Sequence, residues 1–569
     1  MTEPQVRLIV VAAVIVAGCA AYINTLDGEW VWDDASSVLL HKHVQDPSKF
    51  VQLFREDQHA FGRGAGNFYR PLVSASFMLD YALSYDARQD ADPGAPYPRV
   101  KPFVFHLTNL FWHLAAALLL LALLTRMAAP PFVCAAVPLL FVVHPLHTEA
   151  VAYISGRADM MSATFMFAGL CCALYEGPPP RRGVAWALST LCCCAALLSK
   201  ESSFIFPFLL LLFILVRPVT ASTPEQKKWA YGLRAAPAAM AALVMVVYGI
   251  LRMTALRFAE AAPGPQSTFG TRLVETGQAF AFYLRVLFWP TGLHMEQSLA
   301  GTPVWTALLG STLLGLCVAA LAAAWAGKQH RIALGMGWFL LTWLPISGLF
   351  PLNAPMAEHW MYVPMAGFWW AVTEALWLAA KGPTLRRAAV AAVYALGVLF
   401  IVLTVQRNRD WHSNERLFRA TLRENPSTLR VNYNLAVAYE DILHNDPGAR
   451  RHHEAVLALH EAQKRARSVD GDTSYLLEDE IEVHLSLGRI LARQGEYQRA
   501  LQHFGPVTTL AKSEKYRAEV SLAALGLGQC FLALGEVARA NAYLQQATSL
   551  NPGLGPKVQA VFAGEPFDD

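Results

Sequence analysis

Long apolar runs alternate with short polar connections from residue 8 to residue 405, and amphipathic helical patterning replaces them afterwards. A helix needs about 20 mostly apolar residues to cross a bilayer. Residues 8–26 meet that length without a small-residue cleavage site, which predicts a retained first helix rather than a removed signal. A polar stretch from Asp27 to about Lys101 follows. Apolar segments then recur near 104–125, 131–147, 159–176, 184–199, 202–216, 235–253, 303–326, 332–351, 360–380 and 388–405. The pattern predicts an all-α polytopic membrane part over 1–406, with about eleven transmembrane helices and a large outer loop at about 27–101.

Lys and Arg in the short connections set the expected orientation. Arg126, Arg181-Arg182, Lys227-Lys228 to Arg234, Lys328 to Arg331 and Lys381 to Arg387 fall on one side with the N-terminus, the expected cytoplasmic side. Segments 27–101, 144–159, 199–202, 255–302, 352–360 and everything after 406 then share the opposite, outer side. Residues 273–289 are apolar enough to cross, which would reverse every later assignment, so a re-entrant or interfacial helix on the outer side is expected there. Segment 202–216 is short, but Arg217 at its end can snorkel.

The part expected as a second domain, 407–569, is helical and repetitive. Leu487-Gly488 and Leu527-Gly528 lie 40 residues apart, as do Gly495-Glu496 and Gly535-Glu536, and Ala500 and Ala540. Asn425-Pro426 and Asn551-Pro552 each close a helix. Small residues where two helices touch, with Pro after the second, resemble tetratricopeptide repeats stacked into an α-solenoid. That family's period is about 34 residues. The longer spacing predicts an insertion around Lys512 to Glu519, and about three repeats are visible.

Composition supports the division. Over 569 residues, 54% are hydrophobic and only 16% charged, and 40 of the 89 charged residues lie after residue 406. The average conceals an apolar part and a water-soluble part, and excludes a disordered chain or a disulfide-stapled module. A net charge of +3 does not point to nucleic acid. Eight of nine cysteines sit in apolar stretches, where they read as small packing residues rather than metal ligands.

Charged groups near membrane depth are costly and usually functional. The first outer loop opens with Trp30-Val31-Trp32-Asp33-Asp34, two adjacent carboxylates beside aromatic rings. Asp34 can also be read as an N-cap for a following helix; Asp33 has no such explanation. Arg70 in Asn67-Phe68-Tyr69-Arg70-Pro71-Leu72 suits either a phosphate or a carboxylate partner. His106, Asn109 and His113 share one helix face. His144, His147 and Glu149 allow a metal reading, but no second ligand set at zinc spacing accompanies them, so hydrogen-bonded interfacial histidines are expected. Arg157 and Asp159 open one span, Lys200-Glu201 ends another, and Glu358-His359 precedes a third. With the expected topology all of them fall on one face.

Taken in order, Trp32-Asp33-Asp34, Tyr69-Arg70-Pro71-Leu72, His144-Pro145-Leu146-His147-Thr148-Glu149-Ala150-Val151, Gly156-Arg157-Ala158-Asp159, Ser199-Lys200-Glu201 and Ala357-Glu358 with Tyr362-Val363-Pro364 resemble the transmembrane and tetratricopeptide repeat-containing O-mannosyltransferases. These are membrane glycosyltransferases of the GT-C superfamily, and the resemblance runs over nearly the whole chain. It implies a GT-C fold and transfer of a sugar, typically mannose from dolichyl-phosphate mannose, to protein Ser or Thr hydroxyls. By that match Asp33 or Asp34 activates the acceptor hydroxyl. Arg70, Arg157 and Lys200 would stabilise the leaving lipid phosphate, with His147 as a hydrogen-bond donor. Glu149, Asp159, Glu201 and Glu358 would line the same donor site. No cofactor and no metal are expected, the lipid-linked sugar being a substrate, and the acceptor protein is expected to engage the repeats. His359 stands where the family commonly has Arg, and the repeat array is shorter than in eukaryotic members. A bacterial relative would put the site in the periplasm with an undecaprenyl-type donor, a eukaryotic one in the lumen of the endoplasmic reticulum.

Two other functional classes fit parts of the sequence. A membrane-anchored repeat scaffold without catalysis explains the tail but not the costly polar groups. A lipid-linked-sugar transporter should show two-fold internal symmetry or acids deep within spans, and the sequence shows neither.

Overall fold

The computed structural model describes residues 3–61, 67–85, 100–216, 223–256, 258, 268–299, 301–350, 352, 354–467, 477–510 and 514–563. Arg217 lies outside them. No strand occurs among the described residues. The chain divides into two units, Met1–Leu417 and Phe418–Asp569. The segment 407–417, expected to travel with the repeats, packs in the first unit instead.

In the first unit the helices are α1 (Glu3–Tyr22), α2 (Pro71–Ser84), α3 (Phe103–Arg126), α4 (Pro131–Val142), α5 (Thr148–Val151), α6 (Arg157–Ala173), α7 (Pro179–Leu197), α8 (Phe206–Val216), α9 (Pro224–Met253), α10 (Phe269–Phe288), α11 (Val304–Ala326), α12 (His330–Trp343), α13 (Tyr362–Ala379) and α14 (Pro383–Asn408). Every expected apolar segment therefore contains a helix. Five are long and apolar enough to cross a membrane: Gln5–Thr25, Phe103–Arg126, Arg234–Met253, Val304–Ala326 and Pro383–Asn408. The pair Pro131–Val143 and Pro145–Val151, bent by 49°, makes a sixth if counted as one span. Pro145 causes that bend: it lacks an N–H and holds His144 extended at φ −73°, ψ 130°. The shortfall from about eleven has a local cause too. α6 opens with Arg157 and Asp159, α12 has 14 residues and α8 has 11.

The interior helices pack by close backbone approach rather than by water exclusion, since lipid offers apolar groups no poorer a solvent than protein does. A Cβ on Gly335 in α12 would stand 2.6 Å from the Ala371 nitrogen of α13, and one on Gly310 in α11 would stand 1.8 Å from the Gly277 carbonyl of α10. Trp338 and Trp370 lie in the resulting core, with Phe167 and Phe213 against Trp338. The helix at 273–289 is α10. Phe280 packs on Phe339 and Trp343 near the end of α12, while Phe288 packs on Phe368 and Trp369 in the first turns of α13.

The described parts of the segment 27–101 have their own small core of Val38, Val44, Leu53, Val73 and Phe77 against Phe105, Ile154 and Met161. Here water is the alternative environment, so burial of each such side chain contributes about 1.5–3 kcal/mol. This core fastens the loop to the N-terminal ends of α3 and α6.

The second unit holds three helix pairs: α16 (Leu429–Val437) with α17 (Asp446–Arg467), α18 (Leu477–Arg493) with α19 (Tyr497–Leu510), and α20 (Arg517–Ala533) with α21 (Val537–Leu550). A helix α15 (Asn414–Glu424) straddles the boundary and α22 (Gly555–Phe562) closes the stack. The small residues of the 40-residue pattern sit where rings and side chains press closest. A Cβ on Gly488 or Gly526 would lie 2.5 Å from Phe504, and one on Gly528 the same distance from Leu544. Gly495 and Gly535 adopt φ of 76° and 80°, ending α18 and α20 in the left-handed conformation that glycine accepts most readily. Of the expected insertion, residues 511–513 lie outside the described ones, and Glu514–Tyr516 forms a single turn before α20.

Candidate active site

The two adjacent aspartates have different surroundings. Asp34 is fully buried. Its Oδ1 accepts the Ser155 backbone N–H at 2.9 Å and the Ser155 hydroxyl at 2.8 Å, and its Oδ2 accepts the Val31 N–H at 3.1 Å. It precedes the turn Ala35–Leu39 but caps nothing there, so the N-cap reading does not apply. Burial pushes its carboxyl up to about 7, the three hydrogen bonds acting the other way. Asp33 is half-buried, with the Tyr153 side chain in hydrogen-bonding reach and the His59 ring in electrostatic reach. His59 Nδ1 is 2.9 Å from the Ser36 hydroxyl and 3.3 Å from that of Ser37. Burial lowers the pKa of this imidazole, and Arg70 adds to the effect while Asp33 opposes it.

A strained backbone aims these groups. Trp32 adopts φ 49°, uncommon for a bulky residue. Its N–H donates to Asn414 Oδ1 at 2.8 Å, its ring stacks on Tyr153 at 6.0 Å, and Tyr153 contacts Trp411 at 5.4 Å. The Glu29 N–H donates to the His412 carbonyl at 2.8 Å. Strain of this kind costs about 1–3 kcal/mol and persists only where surrounding contacts over-determine it. Here the segment after the last span supplies them.

Arg157 is committed elsewhere. It is fully buried, pairs with Asp80 at 2.5 Å, and donates to Asn109 Oδ1 at 2.7 Å, the Ser76 hydroxyl at 2.7 Å and the Phe105 carbonyl at 2.8 Å. Its guanidinium also lies over the Phe77 ring at 4.6 Å. These contacts tie α2, α3 and α6 together and leave a phosphate little to bind. His147 is likewise fully buried, its ring centroid 4.3 Å from Tyr362, 4.5 Å from Phe141 and 5.4 Å from His113. His144 donates from Nε2 to the Leu287 carbonyl and accepts the Leu146 N–H at Nδ1.

Arg70, Asp159, Lys200 and Glu201 form one cluster. Arg70 grips Glu201 with two hydrogen bonds of 2.8 and 3.1 Å, and Lys200 Nζ meets Asp159 Oδ1 at 2.6 Å. Burial works against the Glu201 charge, yet the Arg70 guanidinium holds its carboxyl down at about 2. The Glu201 side chain remains 47% exposed, so the pair contributes about 1 kcal/mol or less to stability and serves mainly to orient Arg70. Of the two readings left open for Arg70, the structure supplies the carboxylate partner, Glu201, at the edge of solvent.

A second cluster holds the remaining two acids. Glu149 accepts the His359 N–H at 2.9 Å and faces His359 Nδ1 at 3.0 Å. Glu358 is buried against Arg407 at 3.3 Å, with Gln297 at 3.4 Å. Burial raises the Glu358 carboxyl above the ordinary range, Arg407 opposing and Glu149 adding. His359, standing where the resembling family commonly has Arg, is therefore the Glu149 partner, and the cation in this cluster comes from α14. Arg407 was legible only as the first charge after the last span, and Tyr153 and His59 carried no signal that the sequence reading used. Arg407 also lies 5.9 Å from the Trp411 ring, which links this cluster to the Asp33 loop through Tyr153.

Residues 479–552 match the tetratricopeptide repeat family. Human protein O-mannosyl-transferase TMTC4 is 25% identical over 485 residues, covering 75% of this chain and 63% of its own length. Human protein O-mannosyl-transferase TMTC3 is 22% identical, covering 93% of this chain and 58% of its own length. The chain is similar to the TMTC-type protein O-mannosyl-transferases over most of its length. The Tmtc2 protein O-mannosyl-transferase of Drosophila melanogaster matches 50% of the chain at 26% identity. No solved structure matches. The chain spans about three fifths of the length of the first two human relatives, and in it the acidic loop and the Arg70 and Glu149 clusters all belong to the membrane unit.

Proposed function

We propose that this TMTC-type chain is a membrane glycosyltransferase that moves a sugar, mannose by likeness to the relatives' names, from a polyprenyl phosphate to Ser or Thr hydroxyls of a protein on the outer or luminal face. The observation that carries the reading is the contrast within the acidic pair. Asp34 is sealed and spent on hydrogen bonds, whereas Asp33 is partly open, held by a strained residue, and in reach of Tyr153 and His59. A serine hydroxyl is a weak nucleophile, and a positioned carboxylate is the group that activates it. Asp33 takes the acceptor proton as the hydroxyl oxygen bonds to the sugar anomeric carbon and the bond from that carbon to the phosphate oxygen breaks. The lipid phosphate leaves with the electron pair, and cations near Arg70 and Lys200 stabilise its charge. The repeats of the second unit would capture the acceptor protein. No cofactor takes part in this scheme.

The test is sugar transfer by full-length protein in detergent, using labelled polyprenyl-phosphate sugars and candidate acceptor proteins. Asp33→Asn is expected to lower turnover by about 100-fold or more while the protein still folds. Wild-type transfer that survives this substitution would refute the assignment of Asp33. Absence of transfer from every donor would favour the repeat scaffold.

A further inference from the structure

Beside the Arg70 cluster, near the end of α9, lies a cation that no acidic residue balances among the described residues. Arg252 donates to the Asn67 carbonyl at 2.7 Å, to Asn67 Oδ1 at 3.0 Å and to the Leu256 carbonyl, all neutral acceptors. No carboxylate pairs with it among the described residues. Its neighbours make the imbalance collective. Tyr248, one turn earlier on α9, lies in electrostatic reach of Arg252, Arg70 and Glu201. Arg70 is in turn within reach of Asp159, and Lys200 of Glu201. Three cations thus face two carboxylates. The Tyr248 hydroxyl is buried and makes no hydrogen bond among the described residues.

The surface leading to this point is apolar. Leu243, Val246, Val247 and Ile250 are exposed along one stripe of α9, at helical spacing, within a helix long and apolar enough to cross a membrane. The same helix ends at Asn67, in the expected outer loop. An unbalanced guanidinium and an unpartnered phenol at the end of a lipid-facing stripe fit a molecule with a long apolar chain and an anionic head. Guanidinium recognises phosphate through paired N–H donors, and a phenol adds one more.

We infer that Arg252 and Tyr248 bind the phosphate of the polyprenyl-phosphate donor, whose chain lies along the Leu243–Ile250 face of α9. This rests on the glycosyltransferase reading for the identity of the lipid. It moves the main phosphate contact away from Arg70 and Lys200, which already have carboxylate partners, and from Arg157, which is enclosed.

Native mass spectrometry of the full-length protein with undecaprenyl phosphate tests it, with dioleoyl phosphatidylglycerol as competitor. Arg252→Gln is expected to weaken undecaprenyl phosphate binding at least tenfold, Tyr248→Phe about threefold, and Arg252→Lys is expected to restore most of the loss. Equal binding by wild type and Arg252→Gln overturns the inference. Equally effective displacement by phosphatidylglycerol overturns it too, because the site would then be a general anionic-lipid contact. Should Arg252→Gln not accumulate as folded protein, Tyr248→Phe decides: undiminished binding counts against the site. Asp33→Asn separates the two claims, since it is expected to abolish transfer and to bind the lipid as wild type does. A wild type that binds through Arg252 but transfers nothing would refute the proposed activity and leave the binding site standing.

Discussion

The Asp34 carboxylate holds both the backbone N–H and the hydroxyl of Ser155, 121 residues further along the chain. It thereby pins the acidic loop to the turn that opens α6. Removing it strands buried donors at Ser155 and Val31, each costing about 1–3 kcal/mol when left unpaired. Asp34→Ala is therefore expected to lower the unfolding temperature and the yield of folded protein. Asp33→Asn should do neither, and thermal unfolding in detergent distinguishes the two.

Arg157 and Asp80 are a buried pair whose value shows when one member is lost. Arg157→Met leaves Asp80 with an uncompensated charge, a change that typically costs about 3–5 kcal/mol. Asp80→Asn in the same protein should recover part of that loss. Arg157→Lys should not recover the Asn109, Ser76 and Phe105 contacts, which a single ammonium cannot span. Denaturation midpoints of the three variants check the order.

Acid should loosen the loop between α1 and α2. His41 is buried, 3.8 Å from Glu56 and beside His43, and burial holds its imidazole down at about 4. In an unfolded chain a histidine takes its proton near 6.5. Below that pH the unfolded state binds more protons, so this contribution is complete above about 6.5 and is lost as pH falls toward 4, at about 1.4 kcal/mol per unit. Asp34, with its carboxyl raised to about 7, contributes in the opposite sense, its share being lost as pH rises through that value. Hydrogen exchange of residues 35–60 at pH 7.5 and pH 5, corrected for intrinsic rates, should therefore show less acid sensitivity in His41→Asn than in wild type.

In the repeats, Gly488→Ala drives a methyl into the Phe504 ring. Overpacking of this kind costs about 1–3 kcal/mol. Phe504→Leu should soften the penalty, so a double-mutant cycle by thermal unfolding is expected to show coupling between the two sites.

What the sequence made legible follows from locality. Helices in the membrane part announce themselves by apolar runs, and glycines 40 residues apart mark the repeat contacts because each repeat solves the same packing problem. Asp33 and Asp34 were visible because two carboxylates beside tryptophans at a boundary have no cheap structural explanation. Nothing local told them apart; the distinction comes from Ser155 and Tyr153, far along the chain. Arg157 looked like a phosphate ligand because its partners Asp80, Asn109 and Ser76 are dispersed over other elements. The boundary at 406 was placed where hydropathy falls, but Trp411 and Asn414 pack by shape and hydrogen bonding, which hydropathy does not record.

That last arrangement bears on biosynthesis. The hydrogen bond from Trp32 to Asn414 joins residues 382 positions apart. A ribosome adding roughly 5–20 residues each second needs about 20–80 s to travel between them. Throughout that interval the loop carrying Asp33 is translated and exposed without its clasp. A truncation before residue 414 should therefore insert in the membrane with the Asp33 loop still unclasped, and limited proteolysis of residues 27–60 should cut it faster than in the whole chain.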